Sequence, residues 1–310
     1  MCGLFGFSKY GDEKYEKLSE LTNSLAEQSS VRGTDATGIA FCRMNNISIL
    51  KDSKPADKIT FKHPDDIHTL IGHTRHSTQG SERKNYNNHP FSGKTNNARF
   101  ALAHNGVLMN DNYLRKDLKL PKTKIETDSY IAVQLIESQH TLDEKSLKYM
   151  AEKVDGSFSF SVLDDKDNIY LVKGDSPLCI LHFPKEKMYV FASTEEILFK
   201  ALIDSRLFSA LKKGEYEEVE INDGDILKIC SNGKLIYDKF EYSIYSGRHW
   251  WDFGFVGHGY SKDDYIEDLK SVATYQGYSP EEVDRLLRIG FSPEEIESYI
   301  YEYWKVETAL

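Results

Sequence analysis

Hydrophobic positions along the chain fall into short runs separated by polar turns, and the spacing within each run predicts its element. Gly3-Leu-Phe-Gly-Phe7 is continuously apolar, as in a short strand buried on both faces. Tyr15, Leu18, Leu21 and Leu25 recur three or four residues apart, which predicts an amphipathic helix over residues 12–29. Residues 38–42 and 47–51 read as paired strands with Asn45-Asn46 in the turn. Residues 70–73 and 100–104 are further strands. The stretch between them, 76–98, is polar and rich in Asn, Gly and Ser, and a loop of that length in a domain usually carries function or is disordered. Helical spacing returns over 128–139 and 143–153. Four strands follow at 157–163, 169–172, 178–182 and 188–192, then a helix at 195–203 and strands near 216–221, 225–230 and 234–240. Many strands joined by tight turns, with helices in separate groups, predict a mainly antiparallel α+β fold.

The texture changes at residues 243–260, which are rich in Gly, Tyr, Trp and His and read as a linker or docking segment. Two segments then repeat thirteen residues apart, Gly277-Tyr-Ser-Pro-Glu-Glu-Val-Asp284 and Gly290-Phe-Ser-Pro-Glu-Glu-Ile-Glu297. In each, Ser precedes a Pro at the first helical position and acids fill the first turn. Ser accepts an orphan backbone N–H, Pro has none to lose, and the acids suit the positive end of the helix dipole. With a helix over 262–275 this predicts a three-helix bundle. The expected domains are therefore 1–242, a linker at 243–260, and a helical bundle at 261–310.

Composition narrows the function. The 310 residues carry 39 Lys and Arg against 49 Asp and Glu, a net charge of −10, so there is no global field to attract a nucleic-acid backbone. No apolar run approaches the roughly 20 residues that span a bilayer, and the N-terminus lacks a signal-peptide pattern. The expected location is the cytoplasm. Cys42, Cys179 and Cys230 lie in strand-like apolar runs and read as buried small hydrophobes. His73 and His76 are too isolated to read as a metal site, and no cofactor is implied.

Cys2 stands apart because of its position. Methionine aminopeptidases remove Met1 when the next residue is small, which would leave Cys2 with a free α-amine. Such an amine has a pKa of about 7.7–8.0, so it can serve as general base for the thiol beside it. Four further segments lie at the ends of successive elements: Arg32-Gly-Thr-Asp-Ala-Thr-Gly38, Gly72-His-Thr-Arg-His-Ser-Thr-Gln-Gly80, His104-Asn-Gly-Val107 and Glu126-Thr-Asp128. Singly, each has a structural reading. Arg75 would sit in an ion pair, Asn105-Gly106 would form a turn, and Asp128 would cap a helix.

Together with the Cys-Gly-Leu-Phe-Gly start, and in this order, these segments resemble the class II glutamine amidotransferase domain of the N-terminal-nucleophile hydrolase superfamily. The resemblance covers residues 2–240. It implies a four-layer αββα sandwich of two antiparallel sheets and hydrolysis of the glutamine side-chain amide to glutamate and ammonia through a Cys2 thioester. It further implies that Asn105 and the Gly106 N–H form the oxyanion hole, that Arg75 holds the substrate α-carboxylate with help from Thr78, and that Asp128 takes the ammonium. The resemblance also implies that Arg32 lies near the nucleophile. The sequence departs from the family pattern at His76, where several relatives have a site-closing aromatic, and at Gln79. Relatives usually fuse this domain to a synthase, and some seventy residues leave no room for one, so the expected acceptor of ammonia is a separate protein. The alternative is a catalytically silent or regulatory glutamine-binding module. The C-terminal turns are similar to those of ubiquitin-associated-type modules, which bind partners; the other reading is a helical cap on the main domain.

Overall fold

β1 (Gly3–Lys9) is buried along its whole length, which explains its continuous apolar run. Leu4 packs between two sheets, while Phe5 and Phe7 face a helical layer. The computed structural model describes residues 2–11, 15–203 and 205–242, and in the C-terminal part Ile266, Leu269, Lys270, Ala273, Thr274, residues 278–291 and Ile296.

The remaining strands are β2 (Ala36–Arg43), β3 (Asn46–Asp52), β4 (Thr69–Arg75), β5 (Phe91–Lys94), β6 (Arg99–Leu108), β7 (Gly156–Asp164), β8 (Ile169–Lys173), β9 (Cys179–Phe183), β10 (Met188–Ala192), β11 (Glu217–Glu218), β12 (Asp225–Ile229) and β13 (Leu235–Lys239). They form a seven-stranded sheet of order β11-β9-β10-β1-β4-β2-β3 and a six-stranded sheet of order β13-β12-β8-β7-β6-β5. Every pairing is antiparallel. Helices α1 (Leu18–Ser29), α5 (Glu195–Leu202) and α6 (Phe208–Lys213) cover the outer face of the first sheet. Helices α2 (Asp111–Asp117), α3 (Tyr130–Ser138) and α4 (Glu144–Lys153) cover the outer face of the second. A third core lies between the sheets, where Leu4, Ala40, Ile71 and Phe191 meet Ala101, Ala103, Leu163 and Leu171. The result is the expected αββα sandwich.

Several boundaries differ from the sequence reading. α1 begins at Leu18, because Lys17 takes a left-handed conformation immediately before it; residues 12–14 lie outside the described residues. The β2–β3 turn centres on Met44-Asn45, both at positive φ, since the register pairs Arg43 with Asn46. Arg75 is the last residue of β4 rather than beyond it, and His104-Asn-Gly lies inside β6. The strand near 216–221 shrinks to Glu217–Glu218. Cys42 is buried, but Cys179 and Cys230 are half-buried. The linker at 243–260 lies outside the described residues, as does much of the bundle. Helix α7 (Pro280–Arg288) is present with Ser279 as its cap: Oγ accepts the Glu282 N–H, and Glu282 accepts the Ser279 N–H.

Candidate functional site

Strand alternation brings the chemistry to one place. Successive side chains point to opposite faces, so residues two apart share a face. Cys2 shares the inter-sheet face with Leu4, Arg75 with Ile71 and His73, and Asn105 with Ala101 and Ala103. The β1–β4 register pairs Gly3 with Thr74, which sets Cys2 beside Arg75. Across the gap, His73 Nε2 donates to the His104 carbonyl at 2.9 Å. That bond ties β4 to β6 two residues before Arg75 and one before Asn105. The apolar inter-sheet core thus ends in polar side chains from both sheets.

Cys2 is buried, and its Sγ meets the backbone of His76: the N–H at 3.4 Å and the carbonyl at 3.5 Å. Burial pushes the thiol pKa up; the His76 N–H and Arg75 oppose the shift, and Asp128 adds to it. The thiol therefore needs a base to become a thiolate. The Arg32-Gly-Thr-Asp segment holds this arrangement together. Arg32 Nε donates to the Cys2 carbonyl at 2.8 Å. Gly33 lies so close to Arg75 and His76 that a Cβ there would stand 2.4 Å from the Arg75 carbonyl carbon. Asp35 accepts the Ser77 N–H at 2.6 Å and gives its own N–H to the Arg75 carbonyl. The side chain of His76 is exposed, so this residue reaches the thiol through its backbone.

Asn105 is buried, and its Nδ2 has no hydrogen-bond partner among the described residues. An orphaned buried amide donor costs about 1–3 kcal/mol, so it marks a place where an acceptor belongs. Beside it, Gly106 has φ 138°, and a Cβ there would stand 1.9 Å from the Ser157 carbonyl oxygen. Opposite Gly106, Phe158 gives its N–H to Asp175 and accepts from Gly174. Gly106 and Phe158 are thus a pair that exchanges no ladder bonds, and the Gly106 N–H turns to the other edge of β6. The Leu108 N–H leaves by that same edge and meets Asp128 Oδ2 at 2.7 Å. Gly106→Ala is expected to lower stability by about 1–3 kcal/mol from backbone strain alone, read as a fall in the urea midpoint.

Asp128 is therefore not a helix cap. α3 starts two residues later and has no side-chain cap bond. Besides the Leu108 N–H, the carboxylate accepts the Ser129 hydroxyl at 3.2 Å, and Ser129 Oγ lies 2.8 Å from His104 Nδ1. Nor does Arg75 sit in an ion pair among the described residues. Its Nη1 donates to Asn88 Oδ1, and its Nη2 to the carbonyls of Gln79 and Gly80, each at 2.7 Å. A guanidinium has five N–H donors, so these bonds leave Nε–H and one Nη1 hydrogen. Thr78 is half-buried in the same loop. The sequence reading gave no role to Asn88 or Ser129, and took His104 only as part of the His-Asn-Gly segment; the bonds that make them supports join positions 13 to 25 residues apart.

The C-terminal part packs on the same strand. Val107 and Met109 share the face of Asn105 and are buried against Leu269, Ala273, Val283 and Ile296. Among the described residues, no group of His, Cys, Asp and Glu is arranged to hold a metal ion, and no helix is long and apolar enough to cross a membrane.

Residues 73–200 match the family model described as a glutamine amidotransferase domain. Glutamine–fructose-6-phosphate aminotransferase (isomerizing) of Staphylococcus aureus is 34% identical over 193 residues, covering 58% of this chain and 30% of the relative. The enzyme of that name from Sulfurisphaera tokodaii is 30% identical over 189 residues, covering 58% and 31%. The chain thus spans about a third of the length of these relatives. Among solved structures, the glutamine phosphoribosylpyrophosphate amidotransferase of B. subtilis superposes with a TM-score of 0.62 at 19% identity, covering 89% of this chain and 57% of the other. An allosteric regulatory enzyme of purine biosynthesis gives the same score and identity over 78% and 50%. At that identity the likeness concerns the fold.

Proposed function

We propose that this chain, whose residues 73–200 match a glutamine amidotransferase domain, is an enzyme of the class II, N-terminal-nucleophile type that hydrolyses the side-chain amide of glutamine to glutamate and ammonia. The observation that carries this reading is the buried Cys2 sulfur at the end of the inter-sheet core, with Asn105 on the facing sheet, whose buried Nδ2 has no partner among the described residues. With Met1 removed, the Cys2 α-amine takes the thiol proton and the sulfur attacks the carboxamide carbon. The oxyanion is held by Asn105 Nδ2 and the Gly106 N–H. Collapse expels ammonia, which carries off the proton, and leaves a thioester that water hydrolyses to glutamate and free thiol. Arg75, with Thr78 in its loop, receives the α-carboxylate; Asp128 receives the ammonium. Reading both ends of the amino acid distinguishes free glutamine from a protein amide. Arg32 and the backbone of His76 hold the nucleophile in place.

The ammonia acceptor in this reading is a separate protein. In this reading the chain divides at about residue 242, and the C-terminal part acts as a cap, a role supported by the packing of Leu269, Ala273, Val283 and Ile296 against Val107 and Met109. Ile289 and Phe291 flank Gly290 at the end of α7 and are exposed, which leaves that loop open to a partner. The test is glutamate release from glutamine, with and without a co-purified partner. Asn105→Ala is expected to lower kcat by about 10²–10³-fold, or about 3–4 kcal/mol, the usual cost of one oxyanion donor. An unchanged kcat would remove Asn105 from the mechanism.

A further inference from the structure

Arg75 is held by Asn88, and Asn88 is held by β3. The Asn88 side chain accepts from Arg75 Nη1 at 2.7 Å and gives its own Nδ2 hydrogens toward the Glu82 carbonyl at 2.8 Å, Asn85 Oδ1 at 3.1 Å and Ser53 Oγ at 3.3 Å. Its backbone is fixed by Lys51: Nζ donates to the Asn88 carbonyl at 2.5 Å and the Pro90 carbonyl at 3.1 Å, and lies 5.2 Å from the centre of the Phe91 ring. The Lys51 carbonyl in turn accepts from Asn85 Nδ2 at 2.8 Å. On the neighbouring strand, Gly38 pairs with Lys51, and a Cβ at Gly38 would stand 2.2 Å from the His89 carbonyl oxygen. The Asn85–Pro90 segment is therefore pressed directly onto the β2–β3 hairpin, and Lys51 is the cation that fastens it.

We propose that Lys51 is a positioning residue for the substrate α-carboxylate, acting through Asn88 on the guanidinium of Arg75. This rests on the reading that Arg75 binds that carboxylate. An ammonium that spans two carbonyls fixes the peptide between them, and Asn88 Oδ1 on that peptide sets the rotation of the guanidinium plane. Carboxylate recognition by arginine depends on that plane, because its donors lie in a rigid fork. Holding the half-buried ammonium here carries an electrostatic cost: burial and the charge of Arg75 lower its pKa to about 8. An ordinary surface brace would not require that cost. None of the recognisable motifs includes Lys51 or Asn88, so this support belongs to the chain's own packing.

The test is steady-state hydrolysis of glutamine by Lys51→Met, Asn88→Ala, their double variant and Arg75→Lys, with a thermal melt of each. Lys51→Met and Asn88→Ala are each expected to raise KM about tenfold with kcat within about twofold, the signature of lost ground-state binding. The double variant is expected to match the worse single variant, because both act through one contact. Lys51→Gln keeps a donor but is too short to span both carbonyls. It serves where Lys51→Met does not fold, with the same direction expected. An unchanged KM in a folded Lys51 variant overturns the proposal, and so do single effects that sum in the double variant. Arg75→Lys separates the two failures: if it leaves KM unchanged, the reading of Arg75 falls; if it raises KM while the Lys51 variants do not, the positioning role alone falls.

Discussion

Cys2→Ala is expected to abolish glutamate release, with a loss of about 10⁴–10⁶-fold in kcat, the range seen when a covalent nucleophile is removed. The size follows from the environment. The sulfur is buried, and burial raises its pKa, so no standing thiolate is available at neutral pH. Attack needs proton transfer to a base, and no other group takes the place of the sulfur in forming the thioester. Alanine is also small enough for Met1 to be removed, so the variant and the parent carry the same processed N-terminus. The loss then reports the sulfur and not the amine. Glutamine binding, measured by calorimetry on the variant, is expected to persist, because Arg75 and Asp128 are untouched. A rate within tenfold of the parent would exclude the thioester route. Undetectable glutamate release by the parent, with Met1 retained in its intact mass, would favour the silent glutamine-binding module.

The layers of the sandwich were legible because each core strand shows its burial in its own sequence. Val-Phe-Ala before Ser193 and Phe-Ser-Phe at 158–160 read as strands, and they are. α2 and α6 were missed. They are seven and six residues long, too short for a helical period to show. The site was legible as a set of residues but not as a geometry. Cys2, Arg75, Asn105 and Asp128 were found from motifs. Their convergence depends on sheet order and register, which pair β1 with both β4 and β10 and set β6 across from them. Asp128 shows the limit most clearly. A carboxylate just ahead of a helix has the signature of a cap, and only the position of the Leu108 N–H shows that it serves the strand instead. His76 is the converse. Its side chain drew notice as a departure from the family pattern, whereas its contribution is a backbone N–H, which any residue would supply.

Acid is expected to unfold this domain well before its carboxylates are fully protonated, because three histidines are buried in neutral form around the site. His73, His89 and His104 are all nearly inaccessible. Burial is the largest cause of the lowered pKa of each, and Arg75 and Lys51 add to it for His73 and His89; Asp128 and Asp175 oppose it at His104. For His73 the value falls to about 3. An unfolded histidine titrates near 6.5, so below that pH the unfolded chain binds more protons than the folded one. Stability from these groups is therefore complete above about pH 6.5 and declines as pH falls through the window down to the folded values. At pH 4, two and a half units below the unfolded value, His73 alone would cost about 3 kcal/mol, and the other two act in the same direction. That is a large part of the 5–15 kcal/mol typical of a folded domain. His89 sharpens the expectation, since both its ring nitrogens lack partners among the described residues and a proton there would have no acceptor. Urea unfolding from pH 7 to pH 4 measures the slope. His73→Gln keeps an N–H for the His104 carbonyl but cannot titrate, so it is expected to flatten the slope by about one proton, or about 1.4 kcal/mol per pH unit. An unchanged slope in that variant would mean that His73 is protonated in the folded state, which its burial and the nearby charges of Arg75 and Lys51 oppose.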